Sequence, residues 1–489
     1  MTAVEPPANE TTQPASLDPA PESAPDQGYQ RLLLFVVMLA VMAFGSLMTI
    51  VTVSLGQIAG DLDSSRATLT WMITGLMLAM AVTTPIAGKL GDVHGHRRMF
   101  LLGLAGGVVT TLASAAAWDA ASLIGFRVLF GITGAFVMPN GMALMMHAYG
   151  PERRATAMGW FQFAMTGAPT IGLVVGGPLI DVVGWRWIFA AFAVVSALAA
   201  VVGHRFIRPT PRQPGATIDY LGAATLAGAV LSGLLALTRA SSAARTDSVV
   251  AILSDPGTLA LAALAAIGVA GFIQVERRTS EPMLQLRYFR RRNFTLPMVS
   301  SALMQFAYMG GFVVTPALLA THYGLAEGAI ALLLAPRPGA FSLASPLGGY
   351  LATSLGERRP VILGAVAMVA SMAAFAGASN LSGLVGLAII VVGLLLSGVS
   401  AGISQPAVAS LVVGSVDQRD MGIANGMTQQ IMFIGVVSGI QTMNVFVGDE
   451  ATTGQFTLTF LYGGVVAFVG LLAAIGIRRA LPRPAAAQT

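Results

Sequence analysis

The feature that most constrains this chain is a short polar frame that occurs twice between long apolar runs. The first copy, GKLGDVHGHRR, spans Gly88 to Arg98, and the second reads GYLATSLGERR. At one constant offset Gly88 maps to Gly349, Leu90 to Leu351, Gly95 to Gly356, and Arg97 and Arg98 to Arg358 and Arg359. A frame repeated in that register, in a chain made of apolar spans, predicts two related membrane bundles. Thr353 replaces Asp92 in the second copy, so only the first hinge carries the acid.

An apolar run of roughly 20 residues suffices to cross the hydrocarbon. Such runs lie at about 31–60, 69–87, 98–117, 121–148, 156–180 and 186–206, six helices of a first bundle. Two more, at about 218–238 and 257–275, are flanked by the basic linker His204–Arg212 and a basic segment ending at Arg292. Six others follow at about 294–320, 327–350, 360–378, 383–413, 422–446 and 457–477. The expected fold is all-α and integral to the membrane: six-helix bundles over 31–207 and 293–478, with two inserted helices within 208–292, fourteen spans in all. Residues 1–30, rich in Pro, Ala, Glu and Thr, and 479–489 read as tails, and the first of them lacks the apolar core and basic start of a signal peptide.

Composition excludes the other classes. With 55% hydrophobic and 10% charged residues the chain cannot make an ordinary soluble surface. Its net charge of +5 is not a nucleic-acid footprint, because the arginines sit in small groups between apolar spans. Alternate loops put Arg31, Lys89, Arg97, Arg98, Arg153, Arg154, the linker arginines and Arg478 on one side, against Arg66, Arg186, Arg239 and Arg245 on the other. By the positive-inside rule the crowded side is cytoplasmic, with both termini inside a plasma membrane, bacterial on codon-bias grounds. The absence of cysteine excludes disulfides, thiolate nucleophiles and Cys-based metal sites. No G-x-x-x-x-G-K-[ST] loop supports ATP-driven pumping, and neither a catalytic set, a metal site nor a cofactor motif stands out.

With these residues in place the chain resembles the major facilitator superfamily, in its fourteen-spanner branch of drug:proton antiporters. The resemblance rests on the hinge at Gly88–Arg98, the frame Arg127-x-x-x-Gly131-x-x-Gly134, the glycine-rich fifth span and the run GWRWIF at Gly184–Phe189. The segment ERRTSEPMLQLRYFRRRNF, ending at Phe294, is similar to the one this branch places after its eighth span. The resemblance implies a secondary exporter, not an enzyme, whose partners are a hydrophobic or amphipathic small molecule, protons and the lipid bilayer, the chain acting as a monomer. An alternative class stays open, an exporter of one anionic metabolite, natural product or lipid through an arginine-lined cavity. A non-transporting receptor or scaffold is the third class.

The hinge residues Gly88, Asp92, Gly95, Arg97 and Arg98, with Gly349, Gly356 and Arg358 in the repeat, are the expected gate. Their glycines permit tight turns and close approach, and Asp92 can pair with Arg97, Arg98 or the positive end of a neighbouring helix. His94 and His96 depart from the family pattern and read as surface histidines. In the fifth span Gly167, Gly172, Gly176 and Gly177 suit tight packing, although Leu173 stands where the antiporter signature has proline and Pro169 and Pro178 flank it.

Arg127 and Arg337 lie within spans, where a guanidinium is costly and faces a cavity or a partner. Two prolines around Arg337 break its helix. The acid that the family often supplies from its first span is absent, since that position is Leu47. No other carboxylate lies deep in a span. The remaining candidates for a proton site are Asp61, Asp63 and Asp181 on the outer side, with Asp92 and Asp219 inside. Gln57, Asn140, Gln162, Gln305, Asn425 and Gln429 are the neutral polar candidates for a substrate cavity, alongside soft apolar residues such as Tyr308 and Met309.

Overall fold

The computed structural model describes residues 27–53, 55–64, 66–69, 71–210, 219–246, 255–279, 286–325, 327–417, 420–445, 447 and 452–478. Each apolar run becomes a helix, because at membrane depth only a backbone that satisfies its own hydrogen bonds is tolerated. The first half contains α1 (Gln27–Val53), its continuation α2 (Leu55–Asp61), a short α3 (Arg66–Leu69), α4 (Trp71–His94), α5 (His96–Ala115), α6 (Ala120–Val183) and α7 (Trp185–Phe206). Next come the inserted pair, α8 (Tyr220–Thr246) and α9 (Pro256–Arg278), and a 3-10 turn at Leu286–Arg290. The second half contains α10 (Arg292–Thr321), α11 (Glu327–Leu334), α12 (Pro336–Leu355), α13 (Arg358–Ala378), α14 (Gly383–Gly414), α15 (Met421–Val445) and α16 (Thr453–Ile475).

Among the described residues twelve helices are long and apolar enough to cross a membrane. Two further expected spans take forms that this count does not reach. The fifth is the second half of α6, which runs on helically from the fourth. Straight, that 64-residue helix would be roughly 96 Å long. Its two ends nevertheless meet, since Arg186 just past the C-terminus donates to the Ala117 carbonyl just before the N-terminus at 3.0 Å. The chain therefore folds back near Tyr149, where Ala148 and Tyr149 bond Gln30 at the start of α1. The tenth is split into α11 and α12 at Ala335-Pro336, as the two prolines led us to expect.

The turns are set by glycine. Gly95 between α4 and α5, Gly184 between α6 and α7, and Gly356 between α12 and α13 have φ of 93°, 83° and 82°. Side-chain-bearing residues rarely adopt this backbone. The repeat's arginines then do one job twice. Arg97 donates to the His204 carbonyl near the end of α7 at 2.6 Å, and Arg358 donates to the Ile475 carbonyl at the end of α16 at 2.8 Å. Each guanidinium satisfies a carbonyl that the last turn leaves open.

Helices α1 and α4–α7 pack on one another, as do α10 and α12–α16. The first bundle's core centres on Val37, Phe44, Leu76, Phe100, Met145 and Phe161. The second bundle's core centres on Leu318, Met372, Phe375, Leu394, Met443 and Phe460. A third apolar cluster joins Ala155 of the first half and Ala223 of the insertion to Phe294, Ala352, Val412 and Ile423 of the second half. It lies at the end of the molecule that carries the hinges. The inserted pair packs there too, with α8 against both α4 and α15. Outward faces are apolar, as at Val109, Leu198, Ile267, Val366 and Val465.

Candidate functional site: the seam between the bundles

The two halves meet along α4 against α15 and along α6 against α12. At the first seam Asp92 ends α4 with only 4% of its surface exposed. Its carboxylate accepts the backbone N–H of Gly422 at 2.8 Å and of Ile423 at 2.9 Å, the open donors at the N-terminus of α15. A carboxylate so placed against the positive end of a helix contributes up to about 2 kcal/mol in partly buried geometry. Glycine makes the approach possible, for a Cβ on Gly88 would run into the Gly422 carbonyl and one on Gly422 into that of Gly88.

His96 backs this clasp. Its Nε2 stands 3.4 Å from Asp92 Oδ1, and its Nδ1 lies 2.9 Å from Asn140 Oδ1. Asn140 in turn donates to the carbonyls of Ala87 and Phe136, tying α4, α5 and α6 together. One expectation is corrected here. His96 is buried at 4% exposure rather than a surface histidine, because the tight turn at Gly95 points it inward. Of the partners expected for Asp92, it takes the positive end of a neighbouring helix, α15, with His96 beside it, whereas Arg97 is spent on the end of α7 and Arg98 is exposed.

In the second seam Thr353 stands where the first has Asp92. Thr353 bonds locally to the Tyr350 carbonyl, and contact is made instead by bare backbone. A Cβ on Gly349 would meet the main chain of Ala155 and Thr156, and one on Gly159 that of Ser345 and Pro346. Gly167 faces Ser342 in the same seam, and Ser342 Oγ donates to the Phe163 carbonyl at 3.1 Å. Gly172, Gly176, Gly177, Pro169, Pro178 and Asp181 lie outside the described side chains.

Beyond the clasp, α15 is held by a second set of groups that the sequence did not single out. Tyr288, in the 3-10 turn, is fully buried and donates to Asp420 at 2.7 Å, immediately before α15. Its oxygen also accepts the Asp417 N–H at 3.2 Å. Burial and the bond to Asp420 push its phenol up to about 12. Arg287 pairs with Asp417 at 3.1 Å, and Arg291 stacks over the Tyr288 ring. Within the arginine run, only the apolar pair Tyr288 and Phe289 signalled that this stretch docks. Glu276, buried at the end of α9, was masked in the sequence by the following arginines.

Both intramembrane arginines are buried, Arg127 at 1% and Arg337 at 0% exposure. Arg127 lies over Phe130 at 4.8 Å and within 5.8 Å of the Phe189 ring. Arg337 lies 3.8 Å from the Tyr308 ring centroid and 5.1 Å from that of Phe312, and it donates one bond to the Tyr308 carbonyl. In each guanidinium Nε and Nη1 have no hydrogen-bond partner among the described residues.

The remaining candidates divide. Gln162, Gln305, Asn425 and Gln429 are buried in the bundles, Asn425 against Met146 across the seam. Asn140 belongs to the hinge network rather than to a cavity. Gln57 is exposed. Asp61 and Asp63 are exposed at the far end, and Asp61 accepts the Trp185 indole N–H at 2.8 Å beside Arg186 at 3.7 Å. The GWRWIF run thus staples the end of the first span far from the hinges to the sixth.

Comparison with known proteins agrees with this geometry. The profile described as Major Facilitator Superfamily matches residues 33–440. The tetracenomycin C resistance and export protein of Streptomyces glaucescens is 29% identical over 419 residues, 85% of this chain and 76% of that protein. The multidrug transporter protein MdtP of Bacillus subtilis is 27% identical over 416 residues, 84% and 74% of the two chains. Among solved structures, the human organic anion transporter MFSD10 (TETRAN) superposes with a TM-score of 0.60 at 17% identity, covering 90% of this chain and 99% of that one. The proton:xylose symporter XylE gives 0.61 at 12% identity over 90% and 95%. At such identities the likeness concerns the fold alone. With paired helix bundles, a repeated hinge and a matching profile over most of its length, this multi-pass membrane protein belongs to the Major Facilitator Superfamily of transporters.

Proposed function

We propose that the protein exports hydrophobic or amphipathic small molecules by alternating access, in exchange for protons, with its hinge end facing the cytoplasm. The observation that carries this reading is the clasp of Asp92 on the N-terminus of α15. A charge from one bundle is held by the backbone of the other, at the end where the arginines gather, so the halves part there only when that clasp opens. The names of the tetracenomycin export protein and of MdtP supply the expected cargo class, drug-like compounds. Soft side chains such as Met304, Phe306 and Met309 fit loosely specified ligands.

The test uses purified protein in liposomes with an imposed pH gradient, following ethidium and, separately, a lipophilic anion. Gradient-driven movement of either compound is expected, lost when the gradient is collapsed. Asp92→Asn should slow it about tenfold while the chain stays folded, since the lost clasp amounts to roughly 1–2 kcal/mol. Movement that ignores the pH gradient would remove the proton from the proposal. Full activity in Asp92→Asn would remove the clasp.

A further inference from the structure

The strongest unexplained group in the molecule is Arg337. It is fully enclosed, it carries a fixed charge, and Nε and Nη1 find no acceptor among the described residues. Uncompensated charge at membrane depth is costly, and such groups are retained where a partner arrives to satisfy them. The bond to the Tyr308 carbonyl uses one donor of five. A brace for the helix break would have no need of the others.

The surroundings say what that partner is. On α10, Gln305, Tyr308 and Phe312 recur at helical spacing on one face, with Gln305 and Tyr308 buried. Tyr308 and Phe312 lie against the guanidinium, and the Phe341 ring meets Tyr308 edge-on at 5.8 Å. The chain is broken at Ala335-Pro336, immediately beside the arginine, and irregular backbone at this depth is tolerated only against protein or a polar cavity. The other bundle carries a related arrangement, Arg127 over Phe130 and near Phe189. Neither arginine has a carboxylate partner among the described residues.

We infer that Arg337, with Tyr308 and Phe312, is the cargo-recognising element of the second bundle, and that its ligands are planar aromatic compounds bearing an ionised acid group. The acid replaces the missing acceptor in charge-assisted bonds, and the rings replace solvent around the hydrocarbon. This inference rests on the transport reading and narrows its cargo to acids.

The probes are 2-naphthoate and its uncharged isostere 2-naphthamide, bound to the detergent-purified full chain and followed by calorimetry. Naphthoate should bind at least about tenfold more tightly than naphthamide, as expected for a hydrogen bond to a charged group. In Arg337→Gln that ratio should fall to near one, with naphthamide affinity unchanged. Should Arg337→Gln fail to fold, Arg337→Lys keeps the charge but loses the planar fork. Naphthoate should then weaken several-fold while naphthamide does not. Equal binding of the two probes by the natural sequence, or an acid preference untouched in either variant, overturns the assignment. Uptake of ethidium and of 2-naphthoate by the same protein in liposomes with an imposed pH gradient separates the two levels. Gradient-driven ethidium movement without acid preference sinks this inference alone, whereas acid preference in a protein that moves no probe sinks the transport reading.

Discussion

Gly95 and Gly356 occupy the same place in the two copies of the hinge and share a backbone that only glycine adopts without strain, at φ 93° and 82°. Alanine at either position should cost about 2 kcal/mol of stability. The two sites lie in different bundles and share no contact, so the double substitution should cost the sum. Unfolding of the purified chain in mixed micelles measures both, and strong non-additivity would mean that the turns are coupled across the seam. The sequence showed these glycines, and the arginines two residues on, through the repeat alone. It did not show what Arg97 and Arg358 bind, because the carbonyls of His204 and Ile475 lie more than a hundred positions away. The same distance hid the partner of Asp92.

At the scale of elements, helix count and order were legible because all spans but the tenth, split at Ala335-Pro336, are apolar runs between polar turns. The fused fourth and fifth spans were not, since the apolar runs of the sequence leave a gap between 148 and 156 through which the helix runs on. Nor was the docking of the 3-10 turn, which looks like one more basic linker until Tyr288 is seen inserted beside α15. Its phenol is held above the ordinary value of 10, at about 12, by burial and by Asp420. A folded-state pKa raised in this way contributes stability in full below pH 10, and the contribution declines as pH climbs towards 12. The natural sequence should therefore lose thermal stability across that window. Tyr288→Phe should be less stable at pH 8 by roughly 1 kcal/mol for the lost bond, yet flatter from pH 10 upward. Parallel pH profiles for the two proteins would show that Tyr288 does not titrate with unfolding.

Across the whole molecule, both seams that join the halves share one kind of contact, glycine laid on backbone. Gly88 and Gly426 meet α15 and α4 in one seam, and Gly159 and Gly349 join α6 and α12 in the other. Both seams close at the hinge end, and the apolar cluster around Ala155, Ala352 and Ile423 fills the space between them. Two seams on a pair of stiff bundles cannot open separately without bending a helix, so they should behave as one closure. The chain has no cysteine, which leaves Asn425→Cys as a clean reporter at the seam. Leucine at Gly422 should raise its labelling rate by an impermeant maleimide from the hinge side, by prising α4 from α15. Leucine at Gly349, in the other seam, should raise it by a comparable factor. A rise with Gly422→Leu alone would show that each seam opens by itself, and rigid rocking of the halves would then have to give way to local bending of α4.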